Sequence, residues 1–206
     1  MNAPRFLERL TRDNAALVLV DHQVGLYTGV RDIEALDLTH NVVGLAKAAV
    51  ALKLPVIVTT TTESMWGPLI PELREALPGV KVIERTTVNA WDEPRVVEAI
   101  KATGRKKLII TGISTDVCLT LPAISAPAAG YHSYAVVDAS GGFSKVQAQM
   151  GVQRMQQAGV IPVCYSNVAV EILGDNAAPE AGEVYAALAM PFGGLVSGLK
   201  QHFSRG

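Results

Sequence analysis

The chain has 206 residues, of which 49% are hydrophobic, 5% aromatic and 18% charged, and its formal net charge is -1. This length suits a single domain spanning residues 1–206, and the balanced charge argues against nucleic acid and anionic membranes as partners. No segment reaches the roughly 18 uninterrupted apolar residues of a membrane span or resembles a signal peptide, so a cytoplasmic protein is expected.

Apolar runs alternate with amphipathic segments along most of the chain. The first run, AALVLV at residues 15–20, lacks polar alternation, as is typical of a parallel strand covered on both faces. The predicted strands are 15–20, 54–62, 80–84, 107–111, 131–139 and 160–164. The predicted helices are 33–52, 71–77, 92–103, one running from the turn at Cys118 to about 129, then 145–158, 167–173 and 179–189.

Strands that alternate with helices predict an α/β fold. We expect a three-layer α/β/α sandwich with a six-stranded, mostly parallel sheet and a core over about residues 13–175. The mean hydropathy of +0.26 is high, and a monomer of this size should not expose large apolar patches. Part of the apolar surface is therefore expected between subunits, with the helices of residues 176–206 in those contacts.

The stretch KKLIITGISTDVCLTLP, residues 106–122, leads from a strand into a cysteine. Thr115 and Asp116 are good N-cap residues, which places Cys118 in the first turn of a predicted helix. Backbone N–H groups and the helix dipole would stabilise a thiolate there. A single cysteine in an apolar context is also often an inert core residue, so both interpretations stay open.

Polar residues follow other predicted strands at the same edge of the sheet. Asp21 follows the first strand, together with His22 and Gln23, and Arg85 follows the third. Parallel strands bring their carboxyl ends together, so Asp21, Arg85 and Cys118 are expected to converge in one cleft. A carboxylate can take the thiol proton and a cation can hold the anionic groups, although Asp21 could also cap a turn and Arg85 could lie on the surface.

Several motifs in order resemble those of the isochorismatase-like cysteine hydrolases, a superfamily related to nicotinamidases, and within it the YcaC-like hydrolases. They are DHQVGL at 21–26, GPLIPEL at 67–73, ERTTVNAW at 84–91, ITGISTDVC at 110–118 and VVDASGG at 136–142. The resemblance implies an α/β sandwich, a homo-octamer and a catalytic triad of aspartate, lysine and cysteine. Asp21 and Cys118 match two members, and Arg85 occupies the lysine position, where a permanent cation suits an electrostatic role.

The same resemblance implies a cis peptide bond between Ile113 and Ser114. It also implies an oxyanion hole made of the backbone N–H groups of Ser114 and Cys118. Weaker candidates for the substrate-binding wall are Gln23, Glu63, Trp66, Asn89 and Trp91.

No metal or other cofactor is expected. The histidines, at positions 22, 40, 132 and 202, are scattered, and the region TTTTESMWGPL at 59–69 lacks the histidine that relatives of the nicotinamidase type use for zinc. Cys118 and Cys164 are expected to be free thiols, with Cys118 the more reactive.

Two hypotheses of function follow. The first is a cysteine-dependent hydrolase that cleaves a C–N bond in a small-molecule amide, imide or carbamoyl compound through a thioester on Cys118. The second is a non-catalytic or redox-sensing protein that keeps the fold and a reactive thiol.

Overall fold

The computed structural model describes residues 8–203, and a six-stranded sheet forms its centre. Every pairing is parallel, in the order β3-β2-β1-β4-β5-β6, so the predicted mostly parallel sheet is confirmed and is parallel throughout. The strands are β1 Ala15–Val20, β2 Val56–Thr61, β3 Val82–Arg85, β4 Lys107–Gly112, β5 His132–Val136 and β6 Ile161–Val163.

The strand order reverses direction at β1. From β1 the chain builds outward to β2 and β3 on one side, then returns to add β4, β5 and β6 on the other. Val20 at the end of β1 therefore pairs with Thr59 of β2 and with Gly112 of β4. In open α/β sheets a crevice forms outside the carboxyl ends of the strands at such a point, and ligands bind there.

Ten helices accompany the sheet in the described residues. They are α1 Val24–Tyr27, α2 Ala35–Ala51, α3 Glu63–Trp66, α4 Pro71–Ala76, α5 Pro94–Ala102, α6 Thr120–Ala128, α7 Lys145–Gln157, α8 Tyr165–Leu173, α9 Ala181–Leu188 and α10 Pro191–Phe203.

Alternate residues of the strands pack into two separate apolar cores, one on each face of the sheet. Leu17 and Leu19 of β1 belong to the core that α2, α4, α8 and α9 cover. Ala16 and Val18 belong to the core that α5, α6 and α7 cover on the opposite face. Successive side chains of a strand point to opposite faces, so an uninterrupted apolar run is what a strand covered on both faces needs. The expected three-layer sandwich is confirmed.

Several predicted bounds are corrected at the element ends. The strand predicted at 131–139 ends at Val136 and continues as a 3-10 turn over Val137–Ala139. The helix predicted to begin at the cysteine begins at Thr120, because residues Thr115–Leu119 form a π-helical turn. Helices α1 and α3 lie in segments for which no helix was predicted, and α10 lies within residues 176–206, where C-terminal helices were expected without bounds for this one.

Helix α10 carries exposed apolar side chains on the outside of the molecule. The exposed members are Phe192, Leu195, Val196, Leu199 and Phe203. None of the helices in residues 8–203 is long and apolar enough to cross a membrane.

Candidate active site

Asp21 lies where β1 ends, at the crevice between β1 and β4. Its backbone N–H donates to the Thr59 carbonyl at 2.9 Å, which continues the pairing with β2 by one residue. Its φ of 58° lies in the left-handed region, which aspartate enters more readily than most residues. The chain turns sharply at this point, and the Asp21 side chain is fully buried.

Arg85, the last residue of β3, forms a buried ion pair with Asp21. Nη2 of Arg85 lies 2.5 Å from Oδ2 of Asp21, and both side chains are inaccessible to solvent. Nη1 donates to the carbonyl oxygens of Thr87 and Val88, so the guanidinium is held from both sides. The alternative in which Arg85 is a surface residue is therefore wrong.

Cys118 lies in the π-helical turn between β4 and α6. The Leu119 N–H donates to the Ser114 carbonyl at 3.1 Å, a bond over five residues, and Thr120 Oγ1 donates to the Thr115 carbonyl at 2.6 Å. The turn passes so close to β4 that a Cβ on Gly112 would meet the Leu119 nitrogen at 2.8 Å. Cys118 is only 9% exposed, yet it reaches the surface of a cavity.

Burial decides which of the two reactive groups carries the proton at rest. It raises the pKa of Asp21 to about 6, against the opposing effects of the Arg85 charge and of a hydrogen bond from the Cys118 thiol. It also raises the pKa of Cys118 well above its usual value, and the Asp21 charge adds to that increase. Near neutral pH the site therefore holds a thiol beside a carboxylate. Burial thus opposes the stabilisation of a thiolate that a helix N-terminus alone would provide.

Two groups lower the pKa of the Cys118 thiol. The Arg85 charge and a hydrogen bond from the Ser114 backbone N–H both lower the pKa of Cys118, although burial outweighs them. The Ile113–Ser114 peptide bond is cis in the structure. Ser114 and Cys118 both line the same cavity.

The cavity beside Cys118 has a volume of about 360 Å³. Small-molecule sites typically occupy clefts of this order, lined mostly by apolar groups with a few polar ones. Its lining comprises Leu26, Thr61, Thr62, Met65, Trp66, Thr86, Val88, Ser114, Val117, Cys118 and Phe143.

Of the five weaker candidates for the wall, only Trp66 is part of this lining. Glu63 instead accepts a hydrogen bond from Thr60 Oγ1 at 2.9 Å. Asn89 caps the 3-10 turn Ala90–Asp92 by accepting from the Trp91 N–H, and Trp91 packs edge-on against Tyr131.

Gln23 is fully buried and hydrogen-bonds the backbone of a segment that forms part of the cavity wall. Its Nε2 donates to the carbonyl oxygens of Thr61 at 2.9 Å and Gly67 at 2.6 Å, and its Oε1 accepts from the Thr61 N–H at 2.8 Å. One amide group therefore fixes both ends of the segment that carries Thr62, Met65 and Trp66.

The remaining wall residues were not predicted from the sequence. Phe143 follows Gly141 and Gly142, which the sequence indicates only as a loop, and Leu26 belongs to the short helix α1. Met65 and Val117 are adjacent in sequence to the candidates Trp66 and Cys118, which is the one signal that could have indicated them.

His22, next to Asp21, is held in place by two side-chain hydrogen bonds. Nε2 lies 2.7 Å from Thr111 Oγ1 and Nδ1 lies 3.1 Å from the Tyr27 hydroxyl. Burial lowers the pKa of His22 to about 3, so the ring is neutral near pH 7. Arg85 is therefore the cation that Asp21 contacts.

The described residues contain no group of three or more His, Cys, Asp or Glu side chains that could hold a metal ion. Both cysteines are free, as expected, with Cys118 buried and Cys164 exposed.

This chain matches a protein-family model, several relatives in sequence and several solved structures. The model of the isochorismatase domain matches residues 15–166. The chain is 43% identical over 169 residues to the probable hydrolase YcaC of Escherichia coli K12, covering 81% of each chain. It is 27% identical over 150 residues to isochorismatase domain-containing protein 2 of Xenopus laevis, covering 71% of each.

Two solved structures have the same fold over nearly their whole length. YcaC from Pseudomonas aeruginosa, solved with hexane-2,5-diol and covalent acrylamide, gives a TM-score of 0.88 at 37% identity and covers 94% of this chain and 98% of its own. YcaC from Escherichia coli, described as an octameric hydrolase of unknown specificity, gives 0.89 at 37% identity and covers 97% and 99%.

Proposed function

The chain belongs to the isochorismatase family of hydrolases, and on that premise we propose that it is a cysteine hydrolase. Its substrate would be a small amide, imide or carbamoyl compound, cleaved at a C–N bond through a thioester on Cys118. The observation that carries the proposal is the buried cluster of Asp21, Arg85 and Cys118, whose thiol reaches a cavity of ligand size.

Acylation is the first half of the reaction, and it begins with Cys118 as a thiol. Asp21 takes the thiol proton, and the Cys118 thiolate attacks the carbonyl carbon of the substrate. The N–H groups of Ser114 and Cys118 hydrogen-bond the resulting oxyanion. As the C–N bond breaks, the protonated Asp21 donates to the departing nitrogen, which leaves as a neutral amine or ammonia or, from an imide, as an amide.

Deacylation uses the same carboxylate a second time. Asp21, ionised again, removes a proton from a water molecule that attacks the thioester carbonyl. The tetrahedral intermediate collapses, the C–S bond breaks and the Cys118 thiolate takes the proton back from Asp21. The product is a carboxylic or carbamic acid. A base with a pKa of about 6 suits this double role, because its charged form predominates at neutral pH while its acid form is accessible.

Arg85 has an electrostatic role in this scheme. A guanidinium stays protonated, so it neither gives nor takes the proton. Its charge lowers the pKa of both Asp21 and Cys118, and so it stabilises the negative charge on whichever of the two groups carries it.

The proposal is tested by trapping the intermediate. The protein is incubated with a panel of small neutral amides, ureas and imides, quenched in acid, and analysed by intact mass and peptide mapping. A mass increase equal to the acyl group on Cys118, together with product release that Cys118→Ala abolishes, supports the proposal. Hydrolysis that persists in Cys118→Ala would contradict it.

The redox-sensing alternative has less support. A sensor cysteine is typically an accessible thiolate of lowered pKa. Cys118 is buried and its pKa is raised, so it does not match that description.

The proposal also includes self-association. The Escherichia coli YcaC structure, which covers 97% of this chain, is described as octameric. The exposed apolar side chains of α10 are of the kind that monomers rarely leave in contact with water. We propose a homo-octamer with α10 in a subunit contact, to be tested by native mass spectrometry of the protein and of Leu195→Glu.

A further inference from the structure

We propose that the site selects a neutral substrate whose acyl group is apolar, and that it rejects both anionic and cationic analogues. This inference rests on the proposed function, because it specifies the substrate class of the same site. It depends on how charge is distributed around the cavity beside Cys118.

The lining contains no acidic, basic or histidine side chain among the eleven residues that form it. Its polar side-chain groups are the hydroxyls of three threonines and Ser114, together with the thiol, and the Ser114 hydroxyl already donates to Asp116 Oδ1 at 2.7 Å. Hydroxyls can hydrogen-bond a carbonyl or an amide, but they do not balance a full charge. A charged substituent would lose water here without gaining an opposite charge.

The two charges that act on the pKa of the Cys118 thiol belong to each other. Asp21 and Arg85 form their ion pair with both side chains at 0% exposure. Neither residue is part of the cavity lining. The pair therefore presents little net charge to a substrate, because each charge is already balanced by the other.

The apolar character continues from the cavity to its mouth. Three lining residues are large hydrophobic groups with high exposure, namely Met65 at 68%, Val88 at 63% and Trp66 at 37%. Phe143 adds a second aromatic side chain to the wall. An apolar acyl group would cover these surfaces, and the favourable free energy of that contact grows with the area removed from water.

The test uses three thiol reagents that share one reactive group and differ in charge. They are the 2-hydroxyethyl, 2-aminoethyl and 2-sulfonatoethyl methanethiosulfonates, which are neutral, cationic and anionic near pH 7. Labelling rates at Cys118 in the folded protein are measured by peptide mapping. The intrinsic reactivity of each reagent is measured at Cys118 in the urea-unfolded protein, because the Asp138 charge beside Cys164 would itself attract or repel a charged reagent.

After division by the rate at Cys118 in the urea-unfolded protein, the neutral reagent should label Cys118 at least about tenfold faster than either charged reagent. A charged reagent that labels Cys118 as fast as the neutral one would overturn the inference. So would the absence of any labelling of Cys118 by the neutral reagent, because the cavity would then not admit even a neutral group.

A charge added at the mouth gives a second readout. Val88→Lys should raise the relative labelling of Cys118 by the anionic reagent severalfold and lower that by the cationic one. The matched control is Val50→Lys, because Val50 is also an exposed valine, 48% accessible, near the end of α2 and away from the cavity. Equal profiles for the two variants would contradict the inference.

This experiment does not require turnover, so the two failures are distinguishable. Charge-selective labelling without an acyl adduct from any neutral amide would leave the selectivity in place and remove the proposed hydrolysis. Acyl adducts from charged and neutral amides alike would support the proposed hydrolysis and contradict the proposed selectivity.

Discussion

The two cysteines of the chain occupy similar positions with very different surroundings. Each follows a parallel strand, precedes a helix and has an aspartate beside it, Asp21 for Cys118 and Asp138 for Cys164. In both places burial, followed by the aspartate charge, raises the pKa of the thiol. A carboxylate next to a cysteine therefore does not by itself produce a nucleophile.

The difference lies in what else each pair contacts. Cys164 is exposed and caps α8, where its N–H donates to Asn167 Oδ1 at 2.6 Å. The Cys118 pair is buried, includes the cation Arg85, receives the Ser114 N–H and reaches a cavity. Under the proposed function, what distinguishes Cys118 from Cys164 is a base, a cation and a substrate space together.

Replacement of the sulfur should separate the two sites most strongly. Cys118→Ala should lower turnover by roughly 10⁴–10⁶-fold, the scale seen when a catalytic nucleophile is removed. Cys164→Ala should leave turnover unchanged, because Cys164 serves only as a helix cap. Steady-state kinetics of both variants on the amide identified by trapping measures this difference. A comparable loss in the two variants would remove the distinction between the sites.

Replacement of the two aspartates should give the next largest contrast. Asp21→Asn keeps the shape but removes the base, so acylation should slow by roughly 10²–10⁴-fold. Asp138→Asn keeps the oxygen that accepts from the Tyr165 N–H at 2.8 Å, so acylation should stay the same. Single-turnover kinetics tests both. An Asp21→Asn enzyme with unaltered acylation would show that Asp21 only caps the strand end.

Loss of the cation should affect both stability and pH dependence. Arg85→Gln leaves the buried Asp21 carboxylate unpaired, which should cost about 3–5 kcal/mol near pH 7. The cost should shrink near pH 5, because a protonated Asp21 no longer needs the cation. Urea unfolding at both pH values measures the change.

The same variant should move the acid limb of the activity profile upward from about pH 6, since the Arg85 charge lowers the pKa of Asp21. Arg95→Gln is the control, because Arg95 belongs to an exposed pair with Glu93. An acid limb that stays in place would show that Arg85 does not act on the base.

The smallest effect is expected behind the cavity wall. Gln23→Ala removes three hydrogen bonds from the segment between Thr61 and Gly67, at a cost of about 1–3 kcal/mol for the groups left unsatisfied. KM should rise more than kcat falls, because the wall loosens while Cys118 and Asp21 stay in place. Gln147→Ala on the exposed side of α7 is the control. A purely structural role would lower stability without changing KM.

Much of the fold could be predicted from local patterns. Apolar runs such as AALVLV indicate strands covered on both faces, and the alternation with helices indicates the sandwich. The convergence of Asp21, Arg85 and Cys118 also follows, since parallel strands share one edge.

The state of the thiol and the cavity wall could not be predicted in this way. The helix dipole favours a thiolate, but burial opposes it more strongly, and burial depends on packing between distant segments. The π-helical turn depends on close contact between Gly112 and Leu119. The wall joins Leu26, Trp66 and Phe143 from three separate segments, whose meeting depends on tertiary structure.

The central claim is that Asp21 takes the proton from Cys118. The most direct measurement is the pH dependence of iodoacetamide labelling at Cys118, followed by peptide mapping. In the unmodified protein the rate should rise up to about pH 6 and then stay level until the pH approaches the raised pKa of the thiol, because ionised Asp21 accepts the thiol proton as the sulfur attacks. In Asp21→Asn this plateau should disappear, and the rate should rise about tenfold per pH unit toward the raised pKa of the thiol. The same plateau in both proteins would contradict the claim.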